Sequence, residues 1–422
     1  VTATAQEPRA GSRGLSRFVA RGSTPWLLGP AFVAAVAYVD PGNVAANVTA
    51  GARYGYLLVW VLVAANLMAV LVQLLSARLG LVTGRGLPEL LGQRLRRPAR
   101  LGYWLQAEVV AAATDLAEVV GGAIALQLLF DLPLVVGGLV VGLVSMAVLE
   151  VQNRRGQRPF EGVVVGLLGV LAVGFLAGLV VSPVSPAQAF GGLVPRLAGA
   201  ESVLLAASML GATVMPHAIY LHSSLARDRH GVLEGADLAR VLRANRWDVG
   251  LSLGLAGSVN IGLLLLAAAA LPGEPGADTI AGAHAAIGVA LGPVVAAFLA
   301  VGLLASGLAS TSVGCYAGSA IMAGLLRWRV PLLVRRAATL VPALIVLAMG
   351  VEPTWVLVLS QVVLSLGIPF ALVPLAVLSG RRSLMGEHVA SPVLRVAAWV
   401  VVALVSALNV GLVVLTLGGA LS

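Results

Sequence analysis

Lysine is absent: all 27 basic residues of the 422-residue chain are arginine. The skew accompanies 50 glycines and abundant alanine, and it reads as compositional bias without functional content. Charge of either sign is scarce as well, 11% of residues against about 25% in an ordinary soluble domain. With 59% hydrophobic residues and a mean hydropathy of +0.98, that scarcity excludes a soluble protein. The one cysteine, Cys315, lies in an apolar stretch, which excludes an intramolecular disulfide and any cysteine-based metal cluster. No nucleophile and base stand out as a pair, so no enzymatic chemistry and no cofactor are expected. A net charge of +9 would suggest nucleic acid in a soluble chain, but these arginines fall in short segments between apolar runs. The expected partner is therefore a lipid bilayer and not a polynucleotide, and no obligate protein partner is evident.

What the chain has in excess is apolar length. A helix crosses a hydrocarbon layer of about 30 Å with about 20 apolar residues. Apolar segments near 26–53, 56–82, 101–130, 132–151, 160–182, 200–227, 245–271, 284–325, 331–349, 354–379 and 392–420 predict an all-α integral membrane protein of about eleven crossings. The eighth segment is too long for one straight helix, which places its first part at the external mouth. Residues 1–24 are polar and basic, with Arg9, Arg13, Arg17 and Arg21 against the single acid Glu7, and read as a disordered cytoplasmic tail. A cleaved leader is disfavoured, because the first apolar run contains Asp40-Pro41-Gly42-Asn43 and continues into more apolar helix.

Arginines crowd at 85–100, 154–158, 227–246, 327–329 and 381–395, whereas the alternate connections hold only Arg53 and Arg196. This asymmetry predicts a cytoplasmic N-terminus and an extracytoplasmic C-terminus, and the expected membrane is a bacterial-type inner (plasma) membrane. The outer loops carry Asp131, Glu274, Asp278 and Glu352, which read equally as an acidic mouth that would concentrate cations or as solvated loop charge.

Two spans are interrupted, the first at Asp40-Pro41 and the sixth at Met215-Pro216, each the first helix of a five-helix set. Because five is odd, the two sets must have opposite orientation, which is the signature of an inverted 5+5 repeat with a site at mid-membrane. The expected units are a first repeat over 25–182, a second over 183–380, and a cytoplasmic loop with the eleventh helix over 381–422.

At the first break, Asp40 places a carboxylate in the membrane, Pro41 breaks the helix, Gly42 gives freedom and Asn43 adds an amide. Pro41 removes a donor, so the carbonyls near Tyr38 and Val39 are expected to face the break together with the oxygens of Asp40 and Asn43. At the second, Pro216 frees carbonyls one turn back, including that of Ala212, and Met215 offers a thioether. Oxygen ligands with one soft sulfur suit Mn²⁺, Fe²⁺, Co²⁺ or Cd²⁺ better than Ca²⁺ or Mg²⁺. His217, beyond Pro216, fits a proton or gating role better than ligation.

On the third helix Glu108, Asp115 and Glu118 lie within about 80° of arc at 100° per residue. Such a stripe marks a proton or ion path, a structural ladder with Arg335 and Arg336 at the start of helix nine, or both at once. Asn66, Asn260, His222 and Gln361 are further embedded polar groups, of which Gln361 is the best additional candidate for the metal shell.

Asp40-Pro-Gly-Asn43 on the first helix and Met215-Pro-His217 on the sixth, with Thr114-Asp115-Leu116-Ala117-Glu118 on the third and Gly211-Ala212-Thr213 before the second break, resemble the Nramp family of proton-coupled divalent-metal transporters. The resemblance covers essentially the whole chain after the tail. It implies a LeuT-like fold and import of Mn²⁺ or Fe²⁺ with protons by alternating access. The implied metal ligands are Asp40, Asn43, Met215 and the Ala212 carbonyl, with Gln361 in some states. Protons would involve Asp40, Asp115 and Glu118, with His217, Arg335 and Arg336 nearby and Glu108 on the same stripe. Pro41, Gly42, Pro216, Thr114, His222, Asn66 and Asn260 would support or gate the site. A cation-coupled amino-acid symporter of the same architecture is the alternative, although it would present a positive half-helix end to a carboxylate and need no paired Asp and Met.

Overall fold

The computed structural model describes residues 29–328 and 330–417, so the tail expected over 1–24 lies outside the described residues. Among the described residues every regular element is a helix. In hydrocarbon a main-chain N–H or C=O has no water to pair with, and the helix satisfies both within one segment. The α-helices of 7 residues or more are α1 (Pro30–Val36), α2 (Pro41–Tyr54), α3 (Val59–Thr83), α4 (Leu87–Arg94), α5 (Arg97–Phe130), α6 (Leu134–Arg155), α7 (Gln157–Val181), α8 (Gly199–Thr213), α9 (Pro216–His230), α10 (Gly235–Ala270), α11 (Ile280–Leu291), α12 (Pro293–Leu326), α13 (Leu332–Ala348), α14 (Pro353–Ser379) and α15 (Pro392–Leu417). Proline stands in the first turn of α1, α2, α4, α5, α9, α12 and α14, where its missing N–H leaves nothing unpaired.

Nine helical stretches among the described residues are long and apolar enough to cross a membrane. The first of these, Pro41–Thr83, joins α2 to α3, and α13, which carries Arg335 and Arg336, is a further helix of 17 residues. Separating the broken helix α1/α2 from α3 and adding α13 gives the eleven crossings. The overlong eighth segment divides at Gly292, whose φ of 99° suits glycine, and Pro293 starts α12 afresh.

The two halves pack in matched pairs. Helix α2 lies against α10 as α9 lies against α3, α1 against α7 as α8 against α14, and α5 against α14 as α12 against α7. Such exchange is the contact pattern of an inverted repeat. An 18-residue stretch of the second broken helix, α8/α9, has 94% of its residues buried, whereas the corresponding share in α6 and α15 is 33%, so the breaks lie at the centre and α6 and α15 at the rim.

Polar contacts close both ends over that centre. At one end Arg53 pairs with Asp278 at 2.5 Å and also with Glu201. Asp278, one of the outer-loop acids, is thus tied to an arginine. At the arginine-rich end Asp248 of α10 accepts from the backbone N–H of Gly29 (3.0 Å) and of Ala31 (2.9 Å), while Arg229 pairs with Glu161 at 2.9 Å and Arg227 with Glu89 at 2.5 Å.

Candidate functional site

At the first break α1 tightens into a 3₁₀ turn over Ala37–Val39, and the chain extends at Asp40 (φ −75°, ψ 168°) before Pro41 opens α2. Asp40 caps α2: its Oδ1 accepts from the Asn43 backbone N–H at 2.7 Å and from Asn43 Nδ2 at 3.0 Å. The Tyr38 and Val39 carbonyls do not face the break as expected. Tyr38 O accepts from Asn260 Nδ2 at 2.7 Å and Val39 O from Ser306 Oγ at 2.5 Å. An unpaired carbonyl is costly in hydrocarbon, and polar side chains on α10 and α12 remove that cost. Asn260 is itself steadied by Asn47 Nδ2 at 3.0 Å.

At the second break α8 ends at Thr213, and Met215 is extended (φ −69°, ψ 124°) before Pro216 opens α9. Pro216 stands four residues beyond Ala212 and has no N–H to offer it. The Ala212 carbonyl accepts instead from Asn43 Nδ2, at 2.9 Å across the two breaks. Thr213 Oγ1 donates to Met209 O at 2.7 Å and lies 3.5 Å from Asn43 Oδ1. Met215 is completely buried.

Gln361 of α14 joins them. Its Nε2 donates to Asp40 Oδ2 at 3.2 Å, and its buried Oε1 has no hydrogen-bond partner among the described residues. Glycine permits this approach: a Cβ on Gly42 would overlap the Gln361 side chain, and one on Gly211 would overlap its backbone carbonyl. Asp40, Asn43, Ala212 and Gln361 thus form one hydrogen-bonded group, with Met215 three residues beyond Ala212. Asp40, Asn43 and Gln361 are fully buried. Among the described residues no three His, Cys, Asp or Glu come together as a metal cluster. The chemistry available at the breaks is therefore one carboxylate, neutral amide and carbonyl oxygens, and a thioether.

The acids of α5 divide. Glu108 takes two hydrogen bonds from Arg335, at 2.7 and 3.2 Å, and Asp115 pairs with Arg336, which also donates from Nε to Ser145 Oγ at 2.7 Å. Glu118 is fully buried, forms no ion pair among the described residues, and lies beside the Ser310 side chain and the backbone at Gly314 of α12. A ladder with both arginines and an unpaired acid thus coexist on one helix.

His217 sits beyond the second break with Nδ1 3.4 Å from Thr114 Oγ1, which links α9 to the acid-bearing helix. His222, a turn further on, pairs through Nδ1 with Gln73 Oε1 at 2.7 Å, and Gln73 Nε2 donates to the Tyr38 hydroxyl. Pro41 packs against Gly121 of α5, and Pro216 near Gly367 of α14. Asn66 is placed elsewhere, over Gly257 of α10. Gln73, Ser145, Asp248 and Ser306 are contacts that the sequence motifs do not single out. Gln73 and Asp248 could have been found as strong polar groups inside apolar spans, whereas Ser145 and Ser306 sit among many small residues and give no such signal.

Residues 31–415 match the family model described as natural resistance-associated macrophage protein-like, Nramp. The divalent metal cation transporter MntH of Mycobacterium tuberculosis is 59% identical over 398 residues, which cover 94% of this chain and 93% of that protein. The MntH of Deinococcus radiodurans is 45% identical over 412 residues, 97% of this chain and 93% of that one. Among solved structures, the manganese transporter of Eremococcus coleocola matches with a TM-score of 0.83 at 29% identity, covering 97% of this chain and 88% of that chain. MhsT in complex with L-phenylalanine matches with a TM-score of 0.58 at 14% identity, covering 92% and 97%, a likeness of LeuT-type fold alone.

Proposed function

This chain belongs to the Nramp family, and on that premise we propose that it carries divalent transition-metal ions across the membrane through a site formed at its paired helix breaks. The observation that carries the reading is the convergence of Asp40, Asn43, the Ala212 carbonyl and Gln361, with Met215 at the second break. Mn²⁺ is the substrate best supported, because the relatives named above include a manganese transporter. Fe²⁺, Co²⁺ and Cd²⁺ follow from the chemistry of oxygen donors with one polarisable sulfur.

Transport is coupled to proton influx by alternating access. Glu118, which no arginine pairs, is the acid on α5 best suited to take up and release a proton, and Asp115 and Glu108 extend the stripe beside Arg336 and Arg335. The closures at Arg53–Asp278 and at Asp248 would break in alternation to expose the site to one side at a time. The two five-helix sets, 25–182 and 183–380, are the units that move, and the arginine-rich end faces the cytoplasm of a bacterial-type plasma membrane. The amino-acid symporter reading is not favoured. MhsT shares the fold only, and the paired breaks present a carboxylate where a substrate carboxylate would be repelled.

The test is uptake into proteoliposomes with Mn²⁺ and a panel of amino acids, for the parent chain and Asp40→Ala. Saturable Mn²⁺ uptake that Asp40→Ala abolishes in a folded protein is expected. Near-normal uptake by that variant, or saturable amino-acid uptake without metal uptake, would overturn the reading.

A further inference from the structure

At the arginine-rich end lies a cleft of about 400 Å³, remote in sequence from the helix breaks and unused by the transport reading. The last turns of α3 supply Leu74, Leu75 and Arg78, and the first turns of α10 supply Leu242, Asn245, Arg243 and Arg246; His388, from the segment leading into α15, and Leu394, in the first turn of α15, close it. Three guanidinium groups face one space, and no carboxylate lines it. Arg243 and Arg246 stand three apart on α10 and so emerge side by side on one helix face. Like charges gathered without an acid raise the energy of the folded chain unless an anion offsets them.

Solvated arginines obeying the positive-inside rule would be the simpler explanation, but Arg78 does not fit it. Its Nη2 donates to the Val389 carbonyl at 3.3 Å, while its Nε is shut off from solvent with no hydrogen-bond partner among the described residues. A long side chain free to reach water would do so. Arg78 is held in the cleft with a donor to spare.

We propose that this cleft binds the phosphate of an anionic phospholipid, held by Arg78, Arg243 and Arg246. Guanidinium groups match phosphate oxygens in charge and in the fork geometry of their donors. Leu74, Leu75, Leu242 and Leu394 give the cleft apolar walls that suit the glycerol and upper acyl region of a lipid and offer nothing to a free phosphate. Trp247, beside Arg246 and 64% exposed, sits as an interfacial anchor does, which places the cleft where headgroups lie. The site also has leverage. Arg246 precedes by two residues Asp248, whose carboxylate caps α1, so a lipid clamped across α3, α10 and the α15 segment would steady the closed arginine-rich end.

The test uses the full chain purified in detergent and probed with phosphatidylglycerol, phosphatidylcholine and inorganic phosphate. Phosphatidylglycerol should remain bound in native mass spectrometry and raise the melting temperature, phosphatidylcholine should do neither, and Arg78→Gln with Arg246→Gln should reduce retention about tenfold or more. Arg382→Gln, an exposed arginine outside the cleft, should behave as the parent. If the double variant does not fold, photo-crosslinking of a phosphatidylglycerol analogue to the parent chain decides instead, with label expected on α3 and the start of α10. Equal retention of the two lipids, retention unchanged in the double variant, or label confined to other helices would overturn the proposal. Stabilisation by inorganic phosphate alone, lost in the double variant, would overturn the lipid assignment in favour of a soluble phosphate.

Discussion

Asn43 donates one side-chain amide group to two oxygens that belong to different helix breaks, Asp40 Oδ1 at 3.0 Å and the Ala212 carbonyl at 2.9 Å. The nitrogen therefore stands between an anionic and a neutral oxygen, where a cation would be coordinated. Rotating the same amide turns its oxygen inward, so that Asn43 changes from bridging the ligands to being one. Asn43→Ala removes both roles. Mn²⁺ affinity measured by calorimetry on the folded variant should fall roughly 10- to 100-fold, as expected for losing about 1–3 kcal/mol of polar contact. An unchanged affinity would separate Asn43 from the metal.

Met215 is fully buried at the second break, and its backbone carbonyl takes the Ile219 N–H at 3.3 Å, so the thioether can be removed without disturbing the start of α9. In Met215→Ala the remaining donors are hard oxygens, which a small hard ion tolerates better than a soft one. Competition uptake should show Ca²⁺ and Mg²⁺ entering and Cd²⁺ losing affinity most. Continued exclusion of Ca²⁺ and Mg²⁺ with Cd²⁺ unchanged would make Met215 a packing residue.

Glu118→Gln and Asp115→Asn are expected to differ in kind. Glu118 has no arginine partner to strand, so its amide should fold normally, impair metal-driven proton influx and leave Mn²⁺ binding near that of the parent. Asp115→Asn leaves Arg336, which is fully buried, without its counter-charge, and breaking a buried pair costs about 3–5 kcal/mol. That variant should lose thermal stability as well as coupling. Internal pH and internal Mn²⁺ followed in the same vesicles, with melting curves alongside, separate the two effects. Normal proton influx in Glu118→Gln would remove it from the route.

Asp248 caps α1 through two backbone N–H groups, and an N-cap is worth about 1 kcal/mol, close to a fivefold change in an equilibrium constant. In Asp248→Ala the arginine-rich end should open more often. A cysteine placed at Ala34, which is fully buried, in a Cys315→Ser background should then react several-fold faster with a polar maleimide. Equal labelling rates with and without the cap would show that Asp248 does not hold this end closed.

Crossing count, the two breaks and which side chains stand at them were all legible in the sequence, because each depends on local facts. Hydrocarbon demands long apolar helices, proline removes an N–H at a fixed position, and a carboxylate inside such a run needs a partner wherever it lies. Asp40, Asn43 and Met215 could be named for that reason. What the Tyr38 and Val39 carbonyls do could not, since the groups that satisfy them, Asn260 and Ser306, lie 222 and 267 residues away. The same holds for the division of the α5 stripe, where facing arginines pair with Glu108 and Asp115 and leave Glu118 without one. Periodicity puts three acids on one face, but only the packing of α13 against α5 decides which of them meets a cation. Local rules fix which groups lack a partner along the helix, and the tertiary structure decides who supplies it, because the low dielectric of the interior makes every such pairing too costly to leave unmade.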